Sequence, residues 1–134
     1  LGAVAPDFDL FWCYLVDNGQ RHHHLYPSHW PLLWFALLAA TLVWAGIAKN
    51  KLPAWLGVVF CLNSIAHLLL DTLGGDIWWL MPFVNQPFAF FHITAVHHPW
   101  WLNFLLHWSF LLELALVVAA IAMWCRRNAK MVNA

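Results

Sequence analysis

Hydrophobic and polar positions divide the chain into three long apolar runs separated by polar or aromatic stretches. The run at 30–48 carries no charge, and Thr41 is its only hydroxyl. The run at 53–71 is uncharged until its last residue but holds Asn63, Ser64 and His67. The run at 102–124 is the longest and contains Asn103, His107 and Glu113. At 1.5 Å per residue, each can cross a hydrocarbon core of about 30 Å. The pattern predicts an all-α membrane protein with three transmembrane helices. Residues 1–6 are short and apolar and read as the tail of a further helix that begins upstream. Residues 7–29 form a polar loop or short amphipathic stretch. Residues 71–101 are aromatic but interrupted by Gly74, Gly75, Pro82, Pro87 and Pro99. Unsatisfied backbone cannot face lipid, so this segment belongs in the interface or folded back over the helices. No run pairs an N-terminal position with a basic flank and a small-residue cleavage site, so none reads as a secretory signal.

Composition agrees with a single membrane domain. Of 134 residues, 63% are apolar and only 9% are charged, against about a quarter charged in soluble domains. Six basic residues balance six acidic ones, which leaves no basic field for nucleic acid and excludes a charge-rich disordered chain. Three cysteines without a CxxC spacing support neither a disulfide framework nor a zinc ribbon. With three spans, Lys49, Lys51, Arg126, Arg127 and Lys130 share one side, which the positive-inside rule makes cytoplasmic. Arg21 is the one basic residue opposite. The same layout collects Asp7, Asp9, Asp17, Asp71, Asp76, His22, His23, His24, His29, His92, His97 and His98 on the other side. Tryptophans 12, 30, 34, 78, 79, 100, 101 and 108 lie at or near that face, as an interfacial aromatic belt would.

Four constellations could carry chemistry. Ser64, His67 and Asp71 fall on one face of the second span, with His67 one turn before Asp71. This suits two ligands of one metal ion, or a ligand and the group that orients it. Alone, an intramembrane histidine is more often a helix-packing contact, but the Asp in register favours a site. Asp7 and Asp9 flank Phe8, and an extended chain would point both carboxylates the same way, toward a cation. The run His22-His23-His24-Leu25-Tyr26-Pro27-Ser28-His29 offers imidazoles, the commonest transition-metal ligands, just before the first span. Three adjacent histidines cannot all reach one ion. Asn103 and His107 form an i, i+4 pair on the third span, where Glu113 is too deep for catalysis and reads as an interhelical lock. There is no phosphate-binding Gly-rich loop, HExxH or G-x-S-x-G elbow.

These residues also resemble a known pattern. Gly2-Ala3-Val4-Ala5-Pro6-Asp7-Phe8-Asp9, then His24-Leu25-Tyr26-Pro27-Ser28-His29, then His67-Leu68-Leu69-Leu70-Asp71-Thr72 with Gly74, Gly75, Pro82 and Phe83 following, keep an order and spacing. They are similar to those of the inner-membrane-associated, metal-dependent hydrolase family, also described as LexA-binding hydrolases. Leu10, Leu25 and Trp30 stand where that pattern has His, Arg and Ser. The resemblance covers residues 1–83 and implies metal ligands at Asp7, Asp9, His24, His29, His67 and Asp71. It implies a multi-pass protein of the bacterial inner membrane with the His/Asp-rich face periplasmic. On this reading a divalent ion (Zn, Mn, Fe or Ni) serves hydrolysis of a lipid or lipid-linked phosphoester. His23 or His97 would move a proton. Membrane lipid is then the expected partner, beside other membrane proteins or further copies of the chain. The alternative expectation is a non-enzymatic subunit of a larger membrane complex, holding a haem or chlorin through His67 and His107.

Overall fold

The computed structural model describes residues 1–91, 96–99 and 101–132. The chain is all-α and divides into two units, Leu1–His92 and Ile93–Ala134. The first contains α1 (Asp9–Leu15), α2 (Pro31–Ile47) and α3 (Leu52–Asp71); the second contains α4 (Trp101–Leu105) and α5 (Trp108–Val132). Helices α3 and α5 are long and apolar enough to cross a membrane. The twenty residues of α3 span about 30 Å.

The expected span at 30–48 is a 17-residue helix, Pro31–Ile47, at the short end of spanning length. Trp30 is extended, and Pro31 occupies the first turn, where its missing N–H is harmless. Residues 48–51 link α2 to α3, which pack side by side as a short-linked helical hairpin. Gly57 lets them approach closely: a Cβ there would stand 2.9 Å from Thr41 Cγ2. Trp34, Cys61, Ile65 and Leu68 form the core with Ala5. Most other large apolar side chains of α2 and α3 point outward, where lipid would cover them.

Residues 1–6 are not α-helical. Gly2–Val4 and Pro6–Phe8 are 3-10 turns, and the first docks on α3. Gly2 is required there, since a Cβ would fall 2.3 Å from the Phe60 carbonyl oxygen. Ser64 Oγ donates to the Gly2 carbonyl at 2.8 Å, so a serine on α3 anchors the N-terminal segment. Asp7 and Asp9 are likewise not in extended chain, because Asp9 opens α1. After α1, Asn18 (φ 50°) and Gly19 (φ 70°) turn the chain through the left-handed region toward the histidine run.

Beyond α3 the segment through Phe91 folds back on that helix's C-terminal end. Ile77 and Phe88 exchange both backbone hydrogen bonds, and Phe90 and Phe91 donate to the Thr72 and Leu73 carbonyls. Parts of the aromatic stretch, including His92 and Trp100, lie outside the described residues. The predicted helix at 102–124 is not continuous. Asn103 sits in α4, and its side chain accepts from Val96 and His97 N–H and donates to the His97 carbonyl. His107 ends the interruption: its Nδ1 accepts the Ser109 N–H, the N-cap arrangement that starts α5. Asn103 and His107 therefore do not share one helix face. Glu113 is half-buried on α5, which is otherwise exposed along nearly its whole length.

Candidate metal centre

The C-terminal end of α3 supplies the first two groups. One helical turn brings His67 Nε2 to 3.0 Å from Asp71 Oδ2. The second 3-10 turn, Pro6–Phe8, which follows the turn that Gly2 docks onto α3, then delivers Asp7, whose Oδ1 lies 3.5 Å from the same nitrogen. His29 arrives from the tight turn Pro27–His29, immediately before Pro31 opens α2. It is completely buried, and its Nε2 stands 3.8 Å from Asp7 Oδ1 and 3.7 Å from Asp71 Oδ2.

The turn that presents His29 is fixed from three sides. Trp34 Nε1 donates to the Ser28 carbonyl at 2.7 Å, and Trp30 Nε1 donates to the Leu25 carbonyl at 3.1 Å. Ser28 Oγ donates to Asp9 Oδ2 at 2.8 Å, and that oxygen also accepts from His29 Nδ1. A carboxylate only accepts, so a proton sits on Nδ1, and Nε2 is the nitrogen of His29 that faces Asp7, Asp71 and His67.

The residues fit a metal ion on their own geometry. The Nε2 atoms of His29 and His67 are shielded from water and have no hydrogen-bond partner; the short His67–Asp71 separation is out of line with the ring N–H. Two ligands on one ion, with bonds of about 2.0–2.2 Å, stand roughly 2.8–3.6 Å apart. The four nitrogen–oxygen separations of 3.0–3.8 Å cluster around that window. Asp7, His29 and His67 offer ligand atoms that all lie within 4.8 Å of one another, and Asp71 stands beside both imidazoles. An orphaned buried nitrogen costs about 1–3 kcal/mol, and a shared cation would satisfy both.

A second group, His23, His24 and His29, meets the same distance test. The His24 ring packs 4.0 Å from that of His23 and 4.5 Å from that of His29. His24 Nδ1 donates to the Asp76 carbonyl at 2.8 Å, which leaves its Nε2 as the free lone pair. Gly75 makes room, since a Cβ there would lie 3.1 Å from His24 Cε1. His23 Nδ1 and Asp9 Oδ1 are buried without hydrogen-bond partners, 3.9 Å apart.

Electrostatics divide the imidazoles. Burial pushes His24 down to about 3, helped by its neighbours His23 and His29. Burial also lowers His23. Burial works against a charged His29 too, but the Asp71 and Asp9 carboxylates outweigh it and raise its pKa. Asp7 is held below the usual carboxylate range, chiefly by the facing His67 imidazole, against its burial.

Of the six ligands expected from the sequence, the structure gathers Asp7, His29 and His67 around one point, with Asp71 beside both imidazoles, and packs the His24 ring against that of His29. Asp9 belongs to neither group; it orients His29 instead of joining the ligands. His23, expected to move protons, also offers a ligand nitrogen. His97 lies exposed in the second unit with both backbone polar groups bound to Asn103. Sequence reasoning missed the supporting roles of Ser28, the Asp76 carbonyl and Gly75. Only the Ser28-His29 adjacency and the Gly74-Gly75 pair hinted at them.

The arrangement could hold a metal ion at the C-terminal end of α3. Comparison with known proteins finds no matching family model, no matching curated protein and no matching solved structure.

Proposed function

We propose that the protein is a metal-dependent hydrolase of the bacterial inner membrane. On this reading it acts at the outer membrane interface on a lipid or lipid-linked phosphoester and resembles the inner-membrane-associated hydrolase family. The observation that carries the proposal is the pair of buried, unpartnered Nε2 atoms of His29 and His67 facing the Asp7 and Asp71 carboxylates. Asp7, His29 and His67 hold the ion, and Asp71 closes the set. Zn, Mn, Fe and Ni all accept such mixed ligands. When bound, the ion activates water and polarises a phosphoryl oxygen. The remaining work belongs to the chain. Asp9 and Ser28 fix the His29 ring, and the Asp76 carbonyl fixes His24. His23, one-third exposed beside the cluster, accepts the proton released from water. His97 is a second candidate for that role.

In the same proposal α2, α3 and α5 each cross the bilayer, with the basic 48–51 loop and the C-terminus cytoplasmic and the cluster periplasmic. The pigment-holding alternative draws no support from its two histidines. His67 faces carboxylates, and His107 Nδ1 caps α5. Elemental analysis of the purified chain tests the hydrolase reading directly. About one equivalent of a divalent transition metal is expected, lost in His67→Ala and Asp71→Ala variants that keep their helicity. A folded parent chain that takes up no such metal on reconstitution would overturn the proposal.

A further inference from the structure

The short helix α1 has two unlike sides. One buries Asp9 and Cys13; the other exposes Phe11 and Leu15 at 63% and 78%, in line with Phe8 before them at i, i+3, i+7 spacing. Between this face and Val4 runs an open apolar groove of about 450 Å³, in the size range of small-molecule sites. Its lining includes Val4, Phe8, Phe11 and Leu15, and Asp7 is its one charged residue. Asp7 is also the residue that faces His67 across 3.5 Å. The groove and the candidate metal centre thus share a wall.

Depth adds a second argument. The N-terminal turn of the groove is pinned to α3 where Ser64 bonds Gly2, seven residues before Asp71 and so about 10 Å along the helix axis. Val4, in the groove wall, belongs to the turn packed on the uncharged body of α3, while Asp7, also in the wall, belongs to the cluster at that helix's end. An apolar groove with one wall on the turn that packs against the body of α3 and a carboxylate of the charged cluster in another matches an amphiphile. A free polar phosphate has nothing to fill it.

We infer that this groove seats one acyl chain of a bilayer phospholipid, whose phosphoester is thereby brought to the cluster at Asp7. The inference deepens the hydrolase reading and rests on it for the cation that meets the phosphate, since Asp7 and Asp71 alone would repel that group. Phe8, Phe11 and Leu15 then select by chain, while the cluster selects by head group.

The test is photolabelling of the full-length chain in vesicles of phosphatidylethanolamine and phosphatidylglycerol. A trace of phosphatidylglycerol carries a diazirine at the end of one acyl chain, and labelled peptides are mapped. Val4→Trp and Leu15→Trp fill the groove from two different elements, the first 3-10 turn and α1, so that one misfolded variant does not decide the result; metal content is measured on each. Label on residues 4–15 is expected to fall about tenfold in both variants, with label on α5 and bound metal unchanged. Undiminished label on 4–15 at full metal content would overturn the inference, as would crosslinks between two copies through this segment. A parent chain free of metal whose groove label still falls in both variants would sink the hydrolase reading and leave the acyl groove standing.

Discussion

Asp9 and His29, twenty positions apart in the chain, are joined by a hydrogen bond from Nδ1 of the imidazole to Oδ2 of the carboxylate. That contact decides which nitrogen of His29 faces Asp7, Asp71 and His67. Metal-binding histidines commonly hold a carboxylate on the far nitrogen, and the partner fixes ring orientation and raises basicity. Asp9→Ala should therefore weaken metal binding about 10–100-fold while the helices persist. Asp9→Asn, which keeps an acceptor oxygen but not the charge, should fall between. Chelator competition followed by circular dichroism checks both, and unchanged affinity in the Ala variant would return Asp9 to the role of bystander.

Protons and metal should compete for His29. Its pKa is raised above the ordinary histidine value of 6.5 by the Asp71 and Asp9 carboxylates, whereas His24, pushed down to about 3, is neutral throughout. Loading the centre displaces the Nε2 proton of His29 while Nδ1 stays bonded to Asp9. Affinity should climb with pH by at least about tenfold per unit while His29 is protonated, and the climb should continue past pH 6.5. A profile already flat below pH 6 would show that His29 is not a ligand.

How much of this was legible in the sequence depends on how local each feature is. His67 and Asp71 needed only the helical period, and the apolar body of α3 needed only hydropathy. His24 and His29 were visible as ligand candidates because they lie in a histidine run just before an apolar stretch. The division of labour between Asp7 and Asp9 was not. It follows from a 3-10 turn docked by Gly2 against Phe60, a contact nearly sixty residues away in sequence that no periodicity announces. The break before α5 was hidden for a related reason. Residues 102–124 are uniformly apolar enough to be helical, and only the cap formed by His107 and the Asn103 contacts interrupt them. Hydrophobicity reports burial in lipid and is silent on a side chain that competes for backbone.

Gly75→Ala separates the two candidate groups. The new Cβ would stand 3.1 Å from His24 Cε1 and 3.2 Å from the Asp71 carbonyl oxygen, so the His24 ring must give way. His29 and His67 are held by other contacts. If Asp7, His29 and His67 hold the ion, the variant should bind metal within about threefold of the parent. Loss of metal would move the centre to His23, His24 and His29.

Orientation can be read with thiols, but not from Cys13. That residue is 4% exposed, and its Sγ bonds the Arg21 carbonyl, so its silence toward a reagent would carry no topological meaning. Gln20 sits in the exposed turn after α1, two residues beyond Asn18, and accepts a cysteine without touching the cluster. Cys125 is exposed and adjoins Arg126 and Arg127 near the end of α5. With five of six basic residues expected on the cytoplasmic side, a membrane-impermeant maleimide should label Gln20→Cys once the outer membrane is opened. Cys125 should stay unlabelled until the inner membrane is permeabilised. A reversed order would place the cluster in the cytoplasm and exclude a substrate drawn from the outer leaflet.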